Sequence, residues 1–300
     1  MNKIPVAQTI AESYGFTFGG LGTVIALIWL PIVLMTVGEY FITGQYIAGM
    51  TSAMESGDLA QSGPLLVRVL GFGLVKFVLQ AVIAVAITRE ILKPLKRPLL
   101  LRFGLGATEL RVVAGYFGLF VLMMVFTIVL VMAVVAVGLS AGAATHAAGP
   151  AMSQPAAFIV GVIVLAGCAG VIYLFARLGF LLAPAAVAEG GFGLERSWRL
   201  TKGNFWRIFA VAIATLLPVM IAVLVIDLVV LGPDFLNPHL ELAKDQAAQM
   251  RHSAEQMRQL GAHLPLMMGL QFVLAPLTYG MTFAPAAYAY RALTDQMPRT

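Results

Sequence analysis

Apolar residues in this chain come in long, nearly unbroken runs, not in the alternation of a strand or the narrow stripe of a surface helix. A bilayer core needs roughly 20 apolar residues per helix. Six runs meet that length, at about 21–42, 65–88, 112–140, 157–177, 207–231 and 264–289. The third is long enough to tilt or to extend beyond the bilayer. Residues 232–263, between the last two runs, predict a separate helix. Asn237 can cap it, Pro238 sits at its first turn, and Leu240, Ala243, Ala247, Met250, Ala254 and Met257 recur at spacings of three and four. This weak stripe is expected to pack on the outer mouth of a bundle. The fold class predicted is all-α: one polytopic membrane domain over residues 1–300, with six transmembrane helices plus interfacial helices.

Composition agrees with a lipid environment. Hydrophobic residues make up 60% of the chain and charged residues 11%, where a soluble domain carries about 25% charged. Mean hydropathy is +0.91. The stretch after Lys3 is mostly polar, and the first apolar run begins near Leu21, so a cleaved signal is not expected. The placement of charge gives an orientation. Arg89, Lys93, Lys96, Arg97, Arg102 and Arg111 lie between the second and third runs. Arg177, Arg196, Arg199, Lys202 and Arg207 lie between the fourth and fifth. With Lys3, Arg291 and Arg299, one side holds 14 basic residues and the other holds 3. The positive-inside rule then places both termini in the cytoplasm. The net charge of +5 needs no nucleic-acid partner, because anionic lipid of the inner leaflet is the nearest counter-charge.

The chain also repeats itself. ESYGFTFGG at 12–20 matches RSWRLTKGN at 196–204 through Ser13/Ser197, Tyr14/Trp198, Thr17/Thr201 and Gly19/Gly203, and GATELRVVAGYF at 106–117 is a weaker third copy. APAAVAEG at 183–190 resembles APAAYAYR at 284–291, with AVIAVAITRE at 81–90 as the degenerate counterpart. Three hairpin units follow, at about 10–92, 106–192 and 195–293, in parallel orientation about an axis along the membrane normal. Alanines and glycines such as Gly115, Gly161, Gly167 and Gly170 are expected to let helices approach closely. Pro31, Pro218, Pro276 and Pro285 are expected to kink or interrupt their helices.

Candidate chemistry is sparse. Cys168 lies in an apolar run and reads as a small packing residue. His146, His239, His252 and His263 fall in outer segments without a dense cluster, so no metal site is expected. No HExxH, GxSxG, Walker or CxxC pattern is present, so neither an enzyme nor a cofactor is expected. Charges inside the spans are costly and mark candidate sites. Glu39, Arg68, Lys76, Gln80, Asp227 and Gln271 form a candidate intramembrane polar network, with Lys76–Asp227 or Arg68–Glu39 pairs compensating the burial. Residues 192–207 interleave Trp198, Trp206 and other apolar residues with Arg196, Arg199, Lys202 and Arg207. This is the pattern of an interfacial elbow facing lipid head groups. Gly203 is expected to end its helix and Asn204 to cap the next.

Two stretches, RPLLLRFGLGATELRVVAGYFGL at 97–119 and LLAPAAVAEGGFGLERSWRLTKGNFWRIF at 181–209, resemble a bacterial inner-membrane family labelled glycerophosphoryl diester phosphodiesterase membrane domain. The resemblance covers spans and elbows across most of the chain. It implies a multi-pass inner-membrane domain. The enzymatic part of the label belongs to an associated catalytic domain, and no segment here is long or soluble enough to be one. The expected function is non-enzymatic organisation of lipid or protein partners in the envelope. The alternative is a small-solute or lipid transporter using the polar network.

Overall fold

A computed structural model describes residues 3–56, 63–94, 106–144, 154–232 and 246–294. Every regular element among them is helical. The order is α1 (Val6–Tyr14), a π-helical turn (Gly15–Gly19), α2 (Leu21–Ser56), α3 (Gly63–Leu92), α4 (Ala107–Ala144), α5 (Gln154–Leu174), a second π-helical turn (Phe175–Gly179), α6 (Leu182–Glu189), α7 (Leu194–Leu200), α8 (Phe205–Leu231) and α9 (Gln246–Leu293). Six helices are long and apolar enough to cross a membrane: Leu21–Ser56, Gly63–Leu92, Ala107–Val137, Phe158–Glu189, Phe205–Leu231 and Ser253–Leu293. The chain is a multi-pass α-helical membrane protein.

The spans pair as three hairpins, α2 on α3, α4 on α5 and α8 on α9. Their centre is built from the small-residue segments. Residues 81–88 of α3 are buried without a break, as are 181–186 and most of 281–292. A helix buried on all sides must present little bulk to its neighbours, and alanine meets that need. Around these segments lie three apolar clusters. One joins α2, α3 and α9 through Ile28, Ile83 and Ala287. A second joins α3, α4 and α6 through Val85, Val112 and Ala186. A third joins α6, α8 and α9 through Leu181, Ile208 and Tyr290.

One arginine–glutamate pair ties each hairpin to the next at a single end of the bundle. Arg89 of α3 meets Glu109 of α4 at 2.8 Å. Arg196 of α7 meets Glu189 of α6 at 2.6 Å. Arg291 of α9 meets Glu12 of α1 at 2.9 Å.

Several expectations need correction. The helices run longer than the apolar counts: α2 continues to Ser56, past the predicted end near 42. The separate outer helix is part of α9, a single helix of 48 residues that passes through Pro265. Its predicted cap, Asn237 and Pro238, lies outside the described residues, as do His146 and His239. Pro31, Pro218, Pro276 and Pro285 also sit inside continuous helices. Neighbouring helices can compensate the hydrogen bond each proline removes. Gly167 faces Leu130 and Gly170 faces Phe126, so both serve α4–α5 contact, but Gly161 has nothing within 4 Å. Cys168 is exposed, not packed. Its neighbours Gly167 and Gly170 use the α4-facing side of α5, which leaves Cys168 on another face.

Candidate functional site

The proposed six-residue network divides into separate parts. Lys76 pairs with Glu39 at 2.8 Å across the α2–α3 hairpin. Arg68 donates to the Gln45 side-chain oxygen at 3.0 Å. Neither Lys76–Asp227 nor Arg68–Glu39 forms. For Lys76–Asp227 the reason is helix order, because α8, which carries Asp227, packs on α9 and α1; for Arg68–Glu39 it is depth, because Glu39 lies level with Lys76, about 12 Å along α3 from Arg68. Asp227 is half-buried and makes no ion pair among the described residues. Gln271 is exposed on α9. Gln80 faces a cavity instead of Lys76.

The elbow is largely satisfied within the protein. Arg196 is held by Glu189, Arg199 lies 3.7 Å from Glu195, and Arg207 donates to the Ile4 carbonyl at 2.8 Å. Lys202 is exposed, and Trp206 is 75% exposed. Gly203 takes a left-handed φ of 76° and ends the turn. Asn204 does precede α8, but its side-chain oxygen accepts from the Ile4 N–H at 3.3 Å instead of capping the helix.

A residue outside both predicted groups organises the elbow. Arg177 sits in the second π turn and is 8% exposed. Its guanidinium lies 3.7 Å from the centre of the Trp198 ring. It donates to the Trp198 carbonyl at 2.8 Å, the Tyr173 hydroxyl at 2.7 Å and the Thr201 hydroxyl at 3.2 Å. The Arg177 carbonyl in turn accepts from Ser197 and Thr201. An arginine can satisfy such a set because its planar fork offers five donors and stacks on aromatic faces. An arginine inside the apolar run YLFARLGF is the sequence signal that marks it.

A cavity of about 920 Å³ is bounded by α3, α4, α5, the second π turn, α6, α8 and α9. Ala81, Ala183, Pro184 and Ala286, from the central small-residue segments, form its inner wall. Exposed Ile172, Phe175, Leu217 and Met220 line the side between α5 and α8. No lining residue is charged. The polar ones are Gln80, Thr88, Tyr116, Thr215 and Thr282. Three of these are threonines on three different helices, and they behave differently. Thr215 returns its hydroxyl to the Val211 carbonyl at 2.9 Å, and Thr282 to the Thr278 carbonyl at 2.7 Å. Thr88 is fully buried, and its hydroxyl has no partner.

Residues 106–293 match a family described as a domain of unknown function, DUF7847. The chain belongs to the DUF7847 family. No curated protein and no solved structure matches the chain. The DUF7847 match takes in α4 to α9, and so includes the elbow, Arg177 and most of the cavity wall. The α3 contribution, Thr88 with it, lies before the matched region. The match carries no link to the phosphodiesterase membrane domain that the two stretches resemble. Among the described residues of this DUF7847 chain, no three His, Cys, Asp or Glu side chains converge as a metal site would need.

Proposed function

We propose that this DUF7847 protein is a non-enzymatic inner-membrane domain that binds and organises lipid, with both termini in the cytoplasm. The cavity carries this reading. It is large, free of charged side chains and walled mainly by alanine, leucine, isoleucine and phenylalanine, so it suits the apolar body of a lipid. A site for a charged solute would place paired or hydrogen-bonding charges towards the ligand, and here Lys76 and Glu39 are spent on one another. The basic elbow and Trp206 add an anchor at head-group depth. The three arginine–glutamate junctions, at equivalent places in successive hairpins, support reading the chain as three parallel units.

Native mass spectrometry of protein released from mild detergent tests the reading. Lipid adducts that survive gentle activation are expected. Protein that emerges free of lipid under conditions preserving the fold overturns it.

A further inference from the structure

The cavity opens sideways. Between α5 and α8 its lining is Ile172, Phe175, Leu217 and Met220, and all four side chains are exposed. An apolar chain in the bilayer can therefore enter without crossing a polar barrier. On α8, Phe209, Ile213, Leu217 and Met220 all line the cavity. Their spacing of three and four puts them on one face of the helix. From Phe209 to Met220 that face rises about 16 Å at roughly 1.5 Å per residue. Half of a hydrocarbon core is about 15 Å. Phe209 stands one turn into α8, just after α7, which carries Arg196 of the middle junction. The α5–α8 opening thus has the depth of one leaflet, the one on the charged side of the bundle.

The same face of α8 leads back to the elbow. Trp206 stands on it three residues before Phe209, and the two rings meet edge to face with centroids 6.0 Å apart. Trp206 is exposed, and so is Lys202 in the turn between α7 and α8. A tryptophan with a cation beyond it follows the order from hydrocarbon edge to phosphate level. This end also carries unbalanced positive charge. Arg196 and Arg199 have glutamate partners. Arg177 donates to a carbonyl and two hydroxyls, and Arg207 to the Ile4 carbonyl. Among the described residues, no carboxylate pairs with Arg177, Lys202 or Arg207. The complement of such an end is an anion. Arg177 and Arg207 are already held by the protein, so Lys202 is the side chain left to meet it.

We infer that the opening between α5 and α8 takes in an acyl chain of an anionic phospholipid from the leaflet on the charged side, with Lys202 at the phosphate and Trp206 at the glycerol level. The chain runs from Trp206 past Phe209 and Ile213 into the cavity. The head group stays outside, where the uncompensated cations favour a net negative charge over a zwitterion. The inference rests on the lipid-binding reading and deepens it by naming the leaflet, the way in and the charge of the head group.

The test uses full-length protein in nanodiscs holding equal amounts of phosphatidylglycerol and phosphatidylethanolamine with the same acyl chains. The second lipid has the same phosphate but cancels it with its own ammonium, and it differs in mass. After mild detergent extraction, native mass spectrometry reads the ratio of the two bound lipids and the amount bound. Wild type is expected to favour phosphatidylglycerol at least about fivefold, the worth of one cation at an anionic surface. Lys202→Gln is expected to lower the ratio by about that factor without lowering the amount, and Lys202→Arg to keep the ratio. Ala212→Phe, which fills the cavity wall, is expected to lower the amount of both lipids about tenfold, within the range that overpacking costs. Lys202 is exposed and the ratio is internal to each sample, so a change in yield does not disturb that arm. Equal retention by wild type, or an unchanged ratio in Lys202→Gln, overturns the head-group assignment and leaves lipid binding standing. An unchanged amount in Ala212→Phe overturns the cavity as the place of the chain. Retention of neither lipid by wild type overturns both readings.

Discussion

Lys76 and Glu39 face each other across α2 and α3 with side chains 27% and 22% exposed. Two opposite charges at 2.8 Å compensate much of their burial, but one alone keeps the whole desolvation cost. Lys76→Leu is therefore expected to lower stability by about 2–3 kcal/mol, measured by unfolding in mixed micelles. Adding Glu39→Leu to it is expected to restore most of the loss. A double variant as unstable as the single one would show that the pair is not the relevant contact. Lys76 was legible because an ammonium in an apolar run stands out. Its partner was not, because partner choice depends on which helices touch. Thr88 was less legible still. A threonine in a helix is ordinary, and only its failure to bond its own backbone distinguishes it from Thr215 and Thr282.

At the scale of elements, close approach decides how the last span meets the first segment. A Cβ built on Gly280 would stand 2.7 Å from Thr17 Cγ2 and 2.8 Å from its Oγ1. Gly280→Ala is expected to push α9 from the first π turn and cost about 1–3 kcal/mol, seen as a lowered thermal midpoint in detergent. An unchanged midpoint would mean that Thr17 yields freely. The link between α6 and α7 is stricter. Gly193 has φ of 81°, and any Cβ there would run into the Leu182 carbonyl. Helix existence was readable from the apolar runs. Helix length was not, because the ends of α2 and α9 are polar enough to look like loops until they pack on each other, as Glu55 and Arg258 do.

For the whole molecule, the arginine–glutamate pairs close a ring: α3 to α4, α6 to α7, and α9 back to α1. In the middle junction the roles are reversed, with glutamate on the leaving segment and arginine on the arriving one. An ion pair is indifferent to which side supplies which sign, so all three junctions carry the same kind of contact. All three pairs lie at one end, together with the basic segments. Reporter fusions at residues 1 and 300 are expected to be active only as cytoplasmic fusions, and an active periplasmic fusion at either terminus would reverse the orientation.

The number of spans, the charged end and the small-residue segments followed from sequence alone. Each is a local property: hydrophobic transfer adds residue by residue, charge is counted loop by loop, and alanine is small wherever it stands. The partners of Lys76 and Arg68, the separation of Asp227 from them, the Arg177 clamp and the cavity beside Thr88 were decided only by tertiary structure. Those features depend on which helices are neighbours and on how far each is turned about its axis. One residue changes the facing by about 100°, and only the packing of all six spans together settles that angle.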